Sequence, residues 1–351
     1  MTARRLRRAP PGATLRPSRR ETVRNQDPQD TLHRRHIGEW LARIGQTPDP
    51  PLQYTVLQGG ISGASTYRIC GSDMDAVLKV VSAEGTSSTL ERMRRELRFY
   101  LELARDIPLR VPRLLGWIDG DSGLALLLSA YTPVRTPRRT DFAGIARDIA
   151  LLHGAFWERT ETLSGYSWLR SASDATDMES VERAQQWWQA LAGQEATRHL
   201  VTARVLSWLE RLLGDISQLD GALEGLPLTL CHGDCHTGNV LRDGEGHWVW
   251  ADWQEVGLSR GPEDLSFLLQ RSNGLPATVE YEVISAYCDQ LAAAGISVEG
   301  QVVRWVLDAF ELRTGLLQWP VFILSMPAPE KRLRRMLKRM RDTERRYGLL
   351  R

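Results

Sequence analysis

Eight residues of this 351-residue chain, His232-Gly-Asp-Cys-His-Thr-Gly-Asn239, concentrate two histidines, a carboxylate and an amide between two apolar stretches. Polar side chains gathered at strand ends suit a reaction site better than a core. Asp234 and Asn239, five positions apart on such a loop, can divide the work of phosphoryl transfer. The carboxylate aims at the proton of an acceptor hydroxyl, and the amide oxygen aims at a metal ion. Thirteen residues further on, Asp252 ends the apolar strand-like segment His247–Ala251. A carboxylate there can hold Mg²⁺ on nucleotide phosphates, since Mg²⁺ takes one or two carboxylates and completes its shell with phosphate oxygens and water.

A lysine stands out for a different reason. Of 45 basic residues only three are lysine, at 79, 331 and 338, so Lys79 is alone in the first 330 residues of an arginine-rich chain. A position that keeps lysine against that preference points to a need for a compact ammonium rather than a planar guanidinium.

The elements that must position these groups follow from periodicity. After a helical stretch at 36–45 and a Pro-rich linker come three strand-like segments, 53–58, 65–70 and 76–81, with Gly- and Asp-containing turns between them. Apolar residues at 90, 93, 97, 100 and 101 predict an amphipathic helix over 88–105, and strands are expected at 114–118 and 124–128. From about residue 140 the pattern becomes helical, at 140–158, 178–192, 196–218, 278–294, 299–318 and 328–347, interrupted by a strand-and-loop patch at 227–256. The expected organisation is a disordered basic arm over 1–35, a sheet-containing lobe over 36–130 and a larger helical lobe over 131–351 that carries the polar loop. This is an α+β, two-lobed architecture.

With those residues in place, the sequence is similar to the aminoglycoside phosphotransferase and choline kinase-like family, which shares the bilobal protein kinase-like fold. HGDCHTGNVL followed by WADWQEVGLSRGPEDLSFLL resembles that family's HGD-x-H-x-x-N…DW…GxPxxDL signature in order and spacing. The resemblance implies that Asp234 is the catalytic base, that Asn239 and Asp252 bind Mg²⁺, and that Asp264 is a structural buttress. His236 is read, against a metal role, as a catalytic-site residue that supports the loop. The resemblance extends less specifically over Gln58-GGISGAST-Tyr67, which resembles the family's nucleotide-loop hairpin, so that Gly59, Gly60, Ser62 and Gly63 would let main-chain amides approach phosphates. Lys79 falls where kinases place the lysine for the α/β-phosphates, with Glu96 as its ion-pair partner. Glu91 and Glu102 compete for that role, but Glu96 neighbours the buried stripe at Leu97 and Tyr100. The segment ending at Ser129–Tyr131 would bind adenine. The implied cofactors are ATP (or GTP) and Mg²⁺.

Composition bounds the rest. No apolar run is long enough to span a membrane and no apolar leader opens the chain, so a cytoplasmic location is expected. Four cysteines do not make a disulfide framework, and the Cys-x₃-Cys spacing at 231 and 235 is unlike a zinc knuckle. The net charge of +2 averages two basic ends, +7 over 1–35 and +8 over 331–351, against −13 in between. The terminal basic helix is read as docked on the helical lobe with a solvated Arg face rather than as a nucleic-acid site. Eleven acidic against six Arg residues over 151–230 would give an acidic cleft suited to a cationic acceptor. The expected partner is thus a hydroxylated small molecule. The reading is a phosphotransferase acting on an aminoglycoside or other hydroxylated antibiotic or natural product. A choline, ethanolamine or sugar kinase is the alternative, and a non-catalytic nucleotide- or metabolite-binding protein is the alternative of another class.

Overall fold

The computed structural model describes residues 28–46, 52–57, 63–72, 74–134, 137–171, 176–223, 226–271 and 277–347. Residues 1–27 of the expected arm lie outside them. Helix α1 runs Pro28–Arg43 and so begins eight residues inside the stretch expected as an arm. Proline is well suited to a first helical turn. His33 and His36 extend the inward stripe of Ile37, Trp40 and Leu41 by ring contacts to Tyr67.

Strands β1 (Gln53–Leu57), β2 (Ser65–Cys70), β3 (Asp75–Ser82), β4 (Leu114–Gly120) and β5 (Gly123–Ser129) form one antiparallel sheet in the order β1-β2-β3-β5-β4. The two-residue period of a strand assigns its faces. Ala76, Leu78 and Val80 of β3 pack with Ala125 and Leu127 of β5 against α1, whereas Val81, Leu124, Leu126 and Leu128 pack on the other side with Met93 and Leu97. Strand β5 is apolar throughout because both faces are covered. Lys79, opposite Leu126, therefore projects from the face that packs on helix α2 (Ser87–Arg98). The helix expected over 88–105 ends earlier and continues as a π-helical turn, Phe99–Leu103, in which Phe99 lies flat on Trp253 at 4.1 Å between ring centroids.

The helical part comprises α3 (Arg139–Ala155), α4 (Thr160–Ser164), α5 (Met178–Gly193), α6 (Ala203–Gly214) and α7 (Ile216–Leu223), then α8 (Pro262–Arg271), α9 (Ala277–Ala293), α10 (Gly300–Leu317), α11 (Trp319–Leu324) and α12 (Glu330–Tyr347). The single helix expected over 196–218 is divided at Gly214-Asp215 into α6 and α7. Strand β6 (Thr132–Pro133) follows the sheet and joins β8 (Val240–Arg242) and β9 (Trp248–Trp250), while β7 (Leu228–Cys231) pairs antiparallel with β10 (Gly257–Arg260). These short strands hold the 232–239 loop at one end and Asp252 at the other. No helix among the described residues is long and apolar enough to cross a membrane.

Candidate active site

The strand pattern that turns Lys79 toward α2 brings its ammonium to 2.8 Å from both carboxylate oxygens of Glu96. Glu96 is fully buried. Its competitors are occupied elsewhere, Glu91 with Ser87 and Glu102 with the Trp168 indole. Lys79 also donates to Asp252 Oδ1 at 2.8 Å, a residue held in the left-handed backbone region at φ 68°. Burial alone would lower the Lys79 pKa, but the charges of Asp252 and Glu96 outweigh it and raise it. Burial pushes Glu96 up against the pull of Lys79. At Asp252 the Lys79 charge overcomes burial, and the carboxyl falls below its usual range.

The polar loop is fixed from beneath by Asp264, which is fully buried in the first turn of α8. Its two oxygens accept the main-chain N–H of His232 at 2.8 Å and of Gly233 at 2.9 Å, and His153 Nε2 lies 3.1 Å from Oδ2. The other His153 nitrogen meets the Tyr287 hydroxyl at 2.9 Å. Burial opposes ionisation of Asp264, but the His153 hydrogen bond and charge and the loop amides outweigh it, so its pKa is lowered. The His232 ring bridges the loop to the strand that precedes Asp252: Nε2 donates to Ala251 O at 3.0 Å, and Nδ1 accepts from Asp234 N at 3.3 Å.

Asp234 and Asn239 are joined directly. Asn239 Nδ2 donates to the Asp234 carbonyl at 2.9 Å and to Oδ2 at 3.3 Å, while Ala251 N donates to Asn239 O at 2.9 Å and so ties Asn239 to the residue before Asp252. His236 Nε2 stands 3.7 Å from Asp234 Oδ2, and its Nδ1 accepts from Gly238 N. Burial pushes the His236 pKa down to about 4, so the ring is neutral near pH 7. Arg271, at the end of α8, reaches Asp234 Oδ1 at 3.2 Å.

On the nucleotide side, Gly59, Gly60 and Ser62 lie outside the described residues. Gly63 is described, at φ 78°, a conformation that favours glycine. Ser129 is held by Arg113 at two points. Its N–H donates to Arg113 O and its hydroxyl accepts from Arg113 N, and Ala130 N donates to Asp75 O. The end of β5 is thus tied to its neighbours, and Tyr131, just beyond it, is half-buried.

Cys231 and Cys235 are free and fully buried, and burial pushes both thiols well up. They fill space as neutral groups. Sequence reasoning missed His153, Tyr287 and Arg271. A histidine on the otherwise apolar face of Ile145, Ile149 and Leu152 was the available signal for His153.

A small antiparallel sheet with a lysine–glutamate pair, set against a helical part that carries an HGD loop and a strand-end aspartate, defines a phosphotransferase with the protein kinase-like fold. Residues 53–296 match the model of the phosphotransferase enzyme family (APH), and the chain belongs to that family. It is a small-molecule phosphotransferase with an alcohol group as acceptor. Solved structures with this fold include the macrolide 2′-phosphotransferase MphH from Brachybacterium faecium, at 18% identity and a TM-score of 0.55, covering 88% of this chain and 98% of that one. The microcompartment-associated aminopropanol kinase aligns at 15% identity and a TM-score of 0.61 over 92% and 99% of the two chains. Choline kinase LicA from Streptococcus pneumoniae aligns at 16% and 0.57 over 89% and 99%. No curated protein sequence matches the chain.

Proposed function

We propose that this protein moves the γ-phosphate of ATP, or of GTP, to the hydroxyl of a small molecule in a Mg²⁺-dependent reaction. The observation that carries the reading is the convergence of Lys79, Glu96 and Asp252 at 2.8 Å, with Asn239 tied by its main-chain oxygen to Ala251, the residue before Asp252. Lys79, braced by Glu96, places the α/β-phosphates. Asp234 accepts or orients the proton of the acceptor hydroxyl. The donor set beside it suits Mg²⁺, a hard cation that prefers oxygen. The Asn239 nitrogen is used by Asp234, which leaves its amide oxygen as a ligand atom, and Asp252 spends one oxygen on Lys79 and keeps the other. When bound there, Mg²⁺ would neutralise charge on the nucleotide phosphates. Neutral His236 shields one side of Asp234, and His232 and Asp264 hold the loop rigid, so catalysis rests on positioning and charge stabilisation.

The acidic excess of 151–230 does not speak for a cationic acceptor. Asp220 meets Arg313 at 3.3 Å, Asp177 caps α5, and Glu179 pairs with Arg183. Asp234→Asn tests the reading. It is expected to keep the fold and ATP binding and to lose phosphoryl transfer by a factor on the order of 10² to 10⁴; unchanged turnover in a coupled ADP-release assay would remove Asp234 from the chemistry.

A further inference from the structure

Asp234 is contacted by a cation from α8. Arg271 Nη1 contacts Asp234 Oδ1 at 3.2 Å, and its Nε is buried without a partner. Its neighbour in α8, Gln270, accepts a 2.8 Å hydrogen bond from the Trp319 indole of α11. Above that indole, 4.3 Å from its ring centroid, lies the guanidinium of Arg332, in the first turn of α12. Burial, then the charges of Arg271 and Arg335, lower the Arg332 pKa.

Among the described residues, the carboxylate that pairs with Arg271 is that of Asp234, while Arg332 rests on the Trp319 ring. The other acid at this end of α12, Glu330, is engaged by Arg334 at 3.0 Å and His199 at 3.3 Å. Guanidiniums that are partly desolvated are favourable sites for a planar or tetrahedral anion, which a guanidinium can grip with two parallel N–H donors. Trp319 supplies a flat apolar wall beneath them, and Gln270 fixes its orientation.

We propose that the acceptor bears a carboxylate or phosphate in addition to the hydroxyl that is phosphorylated, and that Arg332 and Arg271 bind this anion beside Trp319 while Asp234 engages the hydroxyl. This rests on the phosphotransfer reading above and assigns its substrate class. It departs from the cationic acceptor that regional charge suggested, because charge counted over eighty residues does not say which groups border Asp234.

The test has a binding arm and a kinetic arm. In the first, 3-phosphonopropionate, an anion with no hydroxyl, is titrated calorimetrically into the protein with its phosphate side filled by a non-hydrolysable ATP analogue and Mg²⁺. Wild type is expected to bind it, Arg332→Gln to bind at least tenfold more weakly and Arg332→Lys to fall between, with thermal melts establishing that each variant is folded. In the second arm, glycerate is compared with glycerol and 4-hydroxybutyrate with 4-amino-1-butanol. The hydroxy acids are expected to have the higher kcat/KM, and Arg332→Gln to raise their KM while leaving that of ATP in place. Equal binding by wild type and Arg332→Gln, a preference for the amino alcohol, or an effect of Arg332→Gln on the ATP KM alone overturns the proposal. Anion binding without turnover of any acceptor counts against phosphotransfer and leaves the anion site standing. Turnover of neutral or cationic alcohols without anion binding does the reverse.

Discussion

Lys79 Nζ and Asp252 Oδ1 are 2.8 Å apart although 173 positions separate them in the chain. The same ammonium holds Glu96, so one cation links the sheet, the helix behind it and the end of β9. Asp252 meets it from a left-handed backbone conformation, φ 68°, that a non-glycine residue adopts only when its surroundings hold it there. Part of the fold's long-range order and the phosphate end of the proposed site therefore depend on a single side chain.

Replacement of that side chain should affect both. Lys79→Met leaves the fully buried Glu96 and Asp252 without their cation, and breaking a buried pair from one side costs about 3 to 5 kcal/mol. Turnover should fall by about 10² or more. Lys79→Arg should not restore it, because a planar guanidinium cannot place a point charge between the two carboxylates. Combining Lys79→Met with Glu96→Gln should recover part of the stability and none of the activity. Denaturant titration and steady-state kinetics on the same preparations separate the two effects.

Asp264→Asn should loosen the loop without touching the proposed reacting groups. One oxygen that accepts a loop amide becomes an NH₂ donor facing another donor, and the His153–Asp264 hydrogen bond loses its charge. A buried group left mispaired in this way costs about 2 to 3 kcal/mol. The expected result is a lower melting temperature and a reduced kcat even where the variant is fully folded. A kcat equal to wild type at low temperature would mean that the loop geometry does not depend on Asp264.

Much of this framework was legible in the sequence because it rests on local periodicity. Strand β2 occupies the expected residues 65–70, and the five strands and the α2 stripe fall where alternation and helical spacing put them. The choice of Glu96 over Glu91 and Glu102 as the partner of Lys79 followed from the resemblance and the position of Glu96 beside that stripe. What escaped was long-range. Strand β10 exists by pairing with β7, and no feature of its own four residues requires it. The Arg face of α12, expected to be solvated, is divided: Arg339 turns in to Glu311, and Arg346 to the fully buried Asp308 at 3.0 Å. Helical spacing puts Leu333, Met336, Leu337 and Met340 on one stripe, and they pack in one cluster, but the buried acids that draw these arginines inward lie on α10, and one helix's pattern carries no sign of the other's charges. Arg271 was hidden in the same way, since only the fold sets it beside Asp234.

His236 gives the protein an acid-sensitive element. Its folded pKa is held down at about 4, chiefly by burial, against about 6.5 when unfolded. The unfolded chain therefore binds the proton first, and stability should decline as pH falls from about 6.5 toward 4, having been fully present above that window. The ceiling for one group displaced this far is on the order of 3 kcal/mol. His236→Gln should reduce the dependence of the urea midpoint on pH across the window. A slope identical to wild type would mean that the ring titrates alike in both states.

Gly233 offers the sharpest separation of site from scaffold. Its φ is 81°, and a Cβ there would overlap the carbonyl oxygen of Glu255, so Gly233→Ala must move main chain between His232 and Asp234. The same residue donates its N–H to Asp264 at 2.9 Å, and that bond has to lengthen or break. A left-handed alanine costs about 1 kcal/mol, and the steric overlap adds to it. The shift acts on the peptide that carries Asp234, where a displacement of about 1 Å can lower turnover by 10². Gly233→Ala should thus lose activity out of proportion to stability, with ATP affinity preserved because Lys79 and Glu96 stand on other elements. Equal losses in activity and ATP affinity would show that the substitution disturbs the lobes as a whole and does not act through the loop.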